Sequence, residues 1–179
     1  MLLIYSSKST TRLQYICKFI FEEVLGTSYS LTTDEENFIS YTGEKINYSY
    51  AEFDKVYQIK PHLLLFESGI KDQDIKVYGK GEKCIFFLTS HEQTDFDIFA
   101  AVFYLITRYE EYLPHAKDMY GRYAHENSIA YKDGFLHLPI INIWIEAFKA
   151  KLLSNFPELL FAPKSFLFIP RMLMYLESS

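Results

Sequence analysis

Apolar residues along this chain occur either in short unbroken runs or in longer stretches at helical spacing. Leu2–Tyr5 is an unbroken run, the pattern of a strand buried on both faces. Ser9 or Thr10 then opens a helical stretch in which Leu13, Ile16, Cys17, Ile20, Phe21 and Val24 share a stripe, and Gly26 stops it as a C-terminal glycine does. The chain therefore opens β-α. His62–Phe66 and Cys84–Leu88 are again continuous apolar runs and predict interior strands. Between Tyr29 and Ile59 the texture changes. Phe38–Tyr41 and Ile46–Tyr50 flank Thr42-Gly43-Glu44-Lys45, a turn signal that predicts antiparallel edge hairpins within 28–60. A further short strand is expected at Val56–Ile59. Gly69–Gly81 is polar and reads as a loop or an edge hairpin around Val77 and Tyr78.

The strongest helical pattern covers Thr94 to Leu113. Thr94 with Asp97 three residues on resembles a capping box, worth about 1 kcal/mol, and Pro114 ends the pattern. Helical throughout, it would be about 30 Å long. Its first turns are apolar nearly all round, so it is expected between the sheet and another layer. Ile140 to Phe156 predicts a second helix, with Ile141, Ile145, Phe148 and Leu152 as its buried stripe. The fold class is α/β: a mixed sheet with interior strands near 2–6, 62–66 and 84–89, edge hairpins in 28–60, and helices near 10–25, 94–113 and 140–156. One domain spans 1–157. Residues 158–179 form a tail whose strand-like run is Phe166-Leu167-Phe168-Ile169.

Composition narrows the function classes. Hydrophobic residues make up 49% and aromatics 18% of the chain, which is a core-rich composition and excludes general disorder. So many aromatics fill cores first, and sugar-binding platforms are their sharper use. The net charge of -5 offers no basic stripe for a phosphate backbone, so nucleic acid is not an expected partner. Lys76, Lys80 and Lys83 read as one solvated hairpin. No apolar run reaches membrane-spanning length and no signal peptide precedes the first strand, so no membrane partner and a cytoplasmic location are expected. Cys17 and Cys84 fall in apolar patterns and read as small core residues.

No glycine-rich phosphate loop, nucleophile elbow or dinucleotide fingerprint occurs, so no cofactor is expected. His62, His91, His115, His125 and His137 show no metal-ligand spacing, although His115, Asp118 and His125 share one loop region. The unusual place is Arg108-Tyr109-Glu110-Glu111-Tyr112. Two glutamates at the negative end of a helix dipole cost about 0.3–1 kcal/mol each when exposed, so they call for a tertiary partner or a site. Arg108 reaches Glu111 at i+3, and Asp118 and Arg122 follow in the next loop. Arg108, Glu110, Glu111, Asp118 and Arg122 form the candidate polar site, with Tyr109, Tyr112, His115 and His125 as ligand contacts. The plainer reading is a charge network that pins the 114–139 loop.

The string from Phe103 through Arg108-Tyr109-Glu110-Glu111-Tyr112-Leu113-Pro114, then Asp118, Gly121-Arg122-Tyr123, Gly134-Phe135-Leu136, Pro139 and Trp144, resembles a known domain. It is the N-terminal domain of unknown function in polysaccharide-deacetylase-like proteins of Bacteroidetes. The resemblance implies a catalytic barrel downstream with an aspartate-rich motif and an H-x-x-x-H metal pair. Here Ser165–Pro170 looks like the approach to that barrel, but no aspartate follows Asp133 and the histidine pair is absent. The expectation is a non-catalytic accessory or interaction domain that binds a glycan or a deacetylase-type partner domain, or that pairs with a second copy through Phe166–Leu176. The alternative is a small hydrolase using Glu110, Glu111 and Asp118 with a nearby histidine.

Overall fold

Leu2–Ser6 forms strand β1, buried at every position, as its unbroken apolar run predicts. A computed structural model describes residues 1–91 and 94–163. Thr10 closes the turn after β1: its hydroxyl accepts from Leu13 N at 3.1 Å and donates to Leu65 O at 2.6 Å. Helix α1, Thr11–Cys17, begins there and runs on as a π-helix over Lys18–Val24. The wide turns leave Leu25 N on Ile20 O and Thr27 N on Phe21 O, at 3.0 and 2.8 Å. Gly26 then turns the chain at φ 62°, against Ala162.

The segment read as edge hairpins is instead a parallel crossover. Strand β2 is Tyr29–Thr32, helix α2 is Glu35–Ser40, and strand β3 is Lys45–Tyr48. Asp34 decides the difference. Its carboxylate accepts from Asn37 N at 3.0 Å, and Glu35 and Glu36 fill the first turn where the helix dipole favours them. Only Phe38 of the Phe38–Tyr41 run is fully buried, which suits one face of a short helix. Strand β4, Tyr57–Gln58, lies within the Val56–Ile59 expectation. The sheet order is β2-β1-β3-β4 and every pairing is parallel, with Ile4 opposite both Leu31 and Ile46.

Two further strand expectations are corrected. Leu63–Leu65 is a single 3-10 turn capped by His62, because a leucine triplet with Leu64 and Leu65 buried and Leu63 exposed fits a turn and not a pleat. Within 84–89, Ile85 makes one bridge to Tyr78 and the left-handed Phe87, at φ 55°, breaks the run. The strand proper is β5, Leu88–His91, antiparallel to β6, Thr94–Phe96. The architecture is α/β: four parallel strands and a separate antiparallel pair.

The long helix expected over 94–113 is also shorter. Asp97, and not Thr94, is the N-cap of α3, Ile98–Ile106, and accepts from Ala100 N at 3.1 Å. Arg108 adopts the left-handed conformation at φ 52° and starts a separate 3-10 turn, Tyr109–Tyr112. A four-residue α4, Ile129–Lys132, and α5, Ile140–Asn155, complete the elements.

Helices α1, α3 and α5 cover one face of the sheet, and α2 covers the other with Leu3, Tyr5, Phe38 and Val56. The main core is aromatic. Phe99 of α3 meets Phe21 of the π-helix, Tyr48 of β3 and Phe148 of α5, with ring centroids 5.8, 5.1 and 5.9 Å away. Trp144 donates its indole N–H to Cys84 O at 2.8 Å. Cys17 and Cys84 are buried and unlinked. Leu159 packs into the same core and Ala162 N donates to Gly26 O at 3.1 Å. The strand-like run at 166–169, and the dimer contact drawn from it, lie outside the described residues. Among the described residues, no helix is long and apolar enough to cross a membrane.

Candidate functional site

The left-handed Arg108 redirects the chain where α3 ends, and this placement decides what the two glutamates do. They are not at the negative end of a continuing helix. They open a new turn and point into different surroundings.

Glu110 lies half-buried in a cleft of about 470 Å³ with Tyr104, His115, Tyr123, Asp72 and Lys132. Its Oε2 accepts from Ile129 N, the first residue of α4, at 3.1 Å. Burial raises its carboxyl above the usual carboxylate range, against the opposing donations of Ile129 N–H and the Tyr123 hydroxyl. Burial first, and the Glu110 charge second, push the Tyr123 phenol up to about 12. His115 places its ring 4.9 Å from that of Tyr123 and joins Nδ1 to Leu113 O at 2.7 Å. A carbonyl only accepts, so Nδ1 carries the proton, and a neutral His115 leaves Nε2 as an acceptor.

Glu111 turns the other way. With Arg108, Asp118, Tyr120, Arg122 and His125 it lines a more open cleft of about 630 Å³, and Tyr123 forms part of that wall too. Arg108 Nε donates to Glu111 Oε1 at 2.5 Å. Asp118 is occupied by its own loop: Oδ1 accepts from Tyr120 N and Arg122 N at 2.8 and 2.9 Å, and Oδ2 from Arg122 Nε at 3.0 Å. These donors, the Arg122 amide first, hold its carboxyl below the usual range. His125 pairs with Glu126 at 3.3 Å.

The candidate polar residues are thus near one another in the chain but split between two clefts with Tyr123 in common. Glu110 and His115 share one; Arg108, Glu111, Asp118, Arg122 and His125 share the other. Tyr109 belongs to neither. It is buried, its hydroxyl accepts from Lys71 N at 2.9 Å, and its ring stands 5.3 Å from Tyr104. Tyr112 is exposed and lines neither cleft. His115, Asp118 and His125 do not meet, and among the described residues no three His, Cys, Asp or Glu side chains converge on a metal-sized point.

Tyr123 and Tyr120 are the residues that the charge pattern passed over. The available signal was Gly121 between two aromatics, just after an aspartate able to close a turn on its own backbone.

A family model covers residues 2–157, which takes in every residue of both clefts. The chain belongs to DUF7033, a family of unknown function. No curated protein and no solved structure matches it. The DUF7033 match begins at the first residue of β1 and ends just after α5, so it spans the parallel sheet, its helices and both clefts of this chain.

Proposed function

We propose that this DUF7033 domain is a non-catalytic binding module that takes a glycan in the clefts around Tyr123 and serves a deacetylase-type partner domain. The observation that carries the reading is the division of the acidic cluster. Asp118 spends its carboxylate on a turn, Glu111 is held by Arg108, and Glu110 stands in a separate cleft. Paired-carboxylate chemistry needs two such groups at one substrate position, whereas binding needs only an amphipathic wall. That wall exists: Tyr120 is 71% exposed, Met119 lies beside it, and the Arg122 guanidinium sits 4.8 Å from the Tyr120 ring. Aromatic faces with polar neighbours suit the apolar faces and hydroxyls of a sugar. The resemblance to deacetylase-linked domains supplies the class, an N-acetylated saccharide.

Titration of the full chain with N-acetylchitotetraose, its deacetylated form and cellotetraose, followed by amide NMR, tests this. Saturable shifts at Tyr120, Tyr123 and Glu111 with the acetylated sugar are expected, and Tyr120→Ala weakens binding by about tenfold, roughly 1.4 kcal/mol. No response to any of the sugars, or an affinity unchanged by Tyr120→Ala, overturns the reading.

A small hydrolase is the second reading, and one observation favours it. Glu110, with its raised carboxyl, and His115 line the same cleft. Glu110 would then act alone as the acid and His115 as the base, without Glu111 or Asp118. Release of free sugar or acetate from the same titration samples, abolished by Glu110→Gln, distinguishes this reading from binding alone.

A further inference from the structure

At the other end of α3 the chain builds a second kind of opening. The carboxyl ends of β3 and β4 lead into Ser49–Tyr50 and Ile59–His62, and an open cleft of about 450 Å³ lies there. In open parallel sheets, ligands bind in the crevice outside the carboxyl ends of the strands, where backbone and loops converge. We propose that this cleft binds a small organic anion with an apolar body, an aromatic carboxylate being the simplest, with its charge at Lys60 and His62. The proposal does not depend on the glycan reading, which concerns different residues.

His62 is held for such a task from three sides. Its backbone N donates to Asp97 Oδ2 at 2.6 Å. Its ring lies flat on Phe87, with centroids 4.0 Å apart and planes at 19°. Its Nδ1 accepts from Leu64 N at 3.3 Å, which places the ring proton on Nε2. Among the described residues that Nε2–H has no hydrogen-bond partner. A donor fixed in place but unused at the wall of a cleft costs no reorganisation when an acceptor arrives. Lys60 supplies the charge. Its Nζ stands 4.0 Å from a carboxylate oxygen of Glu52, a side chain 92% exposed, so the pair is screened and readily exchanged for another anion.

Apolar side chains and Thr89 complete a lining that is polar for more than half of its surface. Tyr50, Leu63 and Leu88 are exposed along it, and the buried Phe87 backs the His62 ring. Phe87 holds a left-handed conformation that a bulky side chain rarely adopts, fixed by Asp97 N donating to its carbonyl at 2.9 Å. Asp97, which accepts from the His62 backbone, is already covered by Tyr48, His62 N and Ala100 N, so its charge is not directed at the ligand, and Glu67 is the other carboxylate whose charge reaches His62. A cation, an unpaired imidazole N–H and exposed apolar side chains together select a carboxylate on a ring over a bare ion or a neutral ring.

Benzoate, inorganic phosphate and benzamide are titrated separately into the full chain, with His62 ring and Phe87 amide signals followed by NMR. Benzoate is expected to give saturable shifts that the other two do not. Lys60→Met weakens benzoate by about tenfold or more with an unchanged thermal midpoint, and His62→Asn, which keeps a capping side chain, does the same. If Lys60→Met lowers the midpoint, His62→Asn carries the test. Absence of a saturable benzoate shift, equal response to phosphate or benzamide, or benzoate affinity unchanged in the variants overturns the proposal.

Discussion

Asp97 receives hydrogen bonds from the Tyr48 hydroxyl, His62 N and Ala100 N, yet it is fully buried. Burial outweighs the donors and lifts its carboxyl to about 6. The sign of the pH effect follows. The folded protein binds the proton more tightly than the unfolded chain, so the stabilisation is complete at low pH, near the ordinary carboxylate range, and is lost as pH rises through about 6. Between pH 4 and 6 the loss is on the order of 2–3 kcal/mol. Urea unfolding across that range is expected to show the decline in the wild type and a flatter profile in Asp97→Asn. Parallel profiles would remove Asp97 as the source. Asp97 was legible in the sequence as part of a helix start, but not as the buried hub of three elements, because its partners are 35 and 49 residues away in the chain. Arg108 shows the same limit. Its spacing to Glu111 was readable, but the left-handed turn that sends Glu110 and Glu111 into different clefts depends on tertiary contacts such as Ile129 N.

Among the elements, α1 and its π-helical continuation end at a tight crossing. A Cβ added to Gly26 would stand 2.5 Å from the Ala162 Cβ, and the backbone there is at φ 62°. Gly26→Ala is therefore expected to destabilise the chain by about 1–3 kcal/mol and to speed amide exchange at Ala162, whose N–H donates to Gly26 O. Adding Ala162→Gly removes the clash but not the backbone strain, so the double variant should recover only part of the loss. β1, α1 and α5 were legible because each is long or continuous enough for its period to declare itself. The crossover β2-α2-β3 was not. Its pieces are short, and a glycine between two apolar runs signals a hairpin unless the Asp34 cap upstream is weighed as well. The run at Leu63–Leu65 failed for a related reason: three leucines carry no period, and only the exposure of Leu63 distinguishes turn from strand.

Across the whole molecule, the aromatic wealth of the sequence goes chiefly to the centre. Phe99 joins the π-helix, β3 and α5 through ring contacts, so Phe99→Ala is expected to cost about 3–5 kcal/mol, read as a shift in the urea midpoint. A loss under about 1 kcal/mol would mean that the core closes over the vacancy. Helix α3 also spaces the two candidate regions: the His62 cleft lies by its N-cap and the Tyr123 clefts at and beyond its last turn.

The position of β1 sets the order in which this protein can be made. Leu2–Ser6 is an interior strand, flanked by β2 and β3, both of which follow it in the chain. During synthesis at about 5–20 residues per second, its apolar side chains emerge seconds before Ile46 and its neighbours exist to pair with them. Leu2–Tyr5 thus leaves the exit tunnel ahead of both its sheet neighbours, and it stays available to a ribosome-bound chaperone until β3 follows.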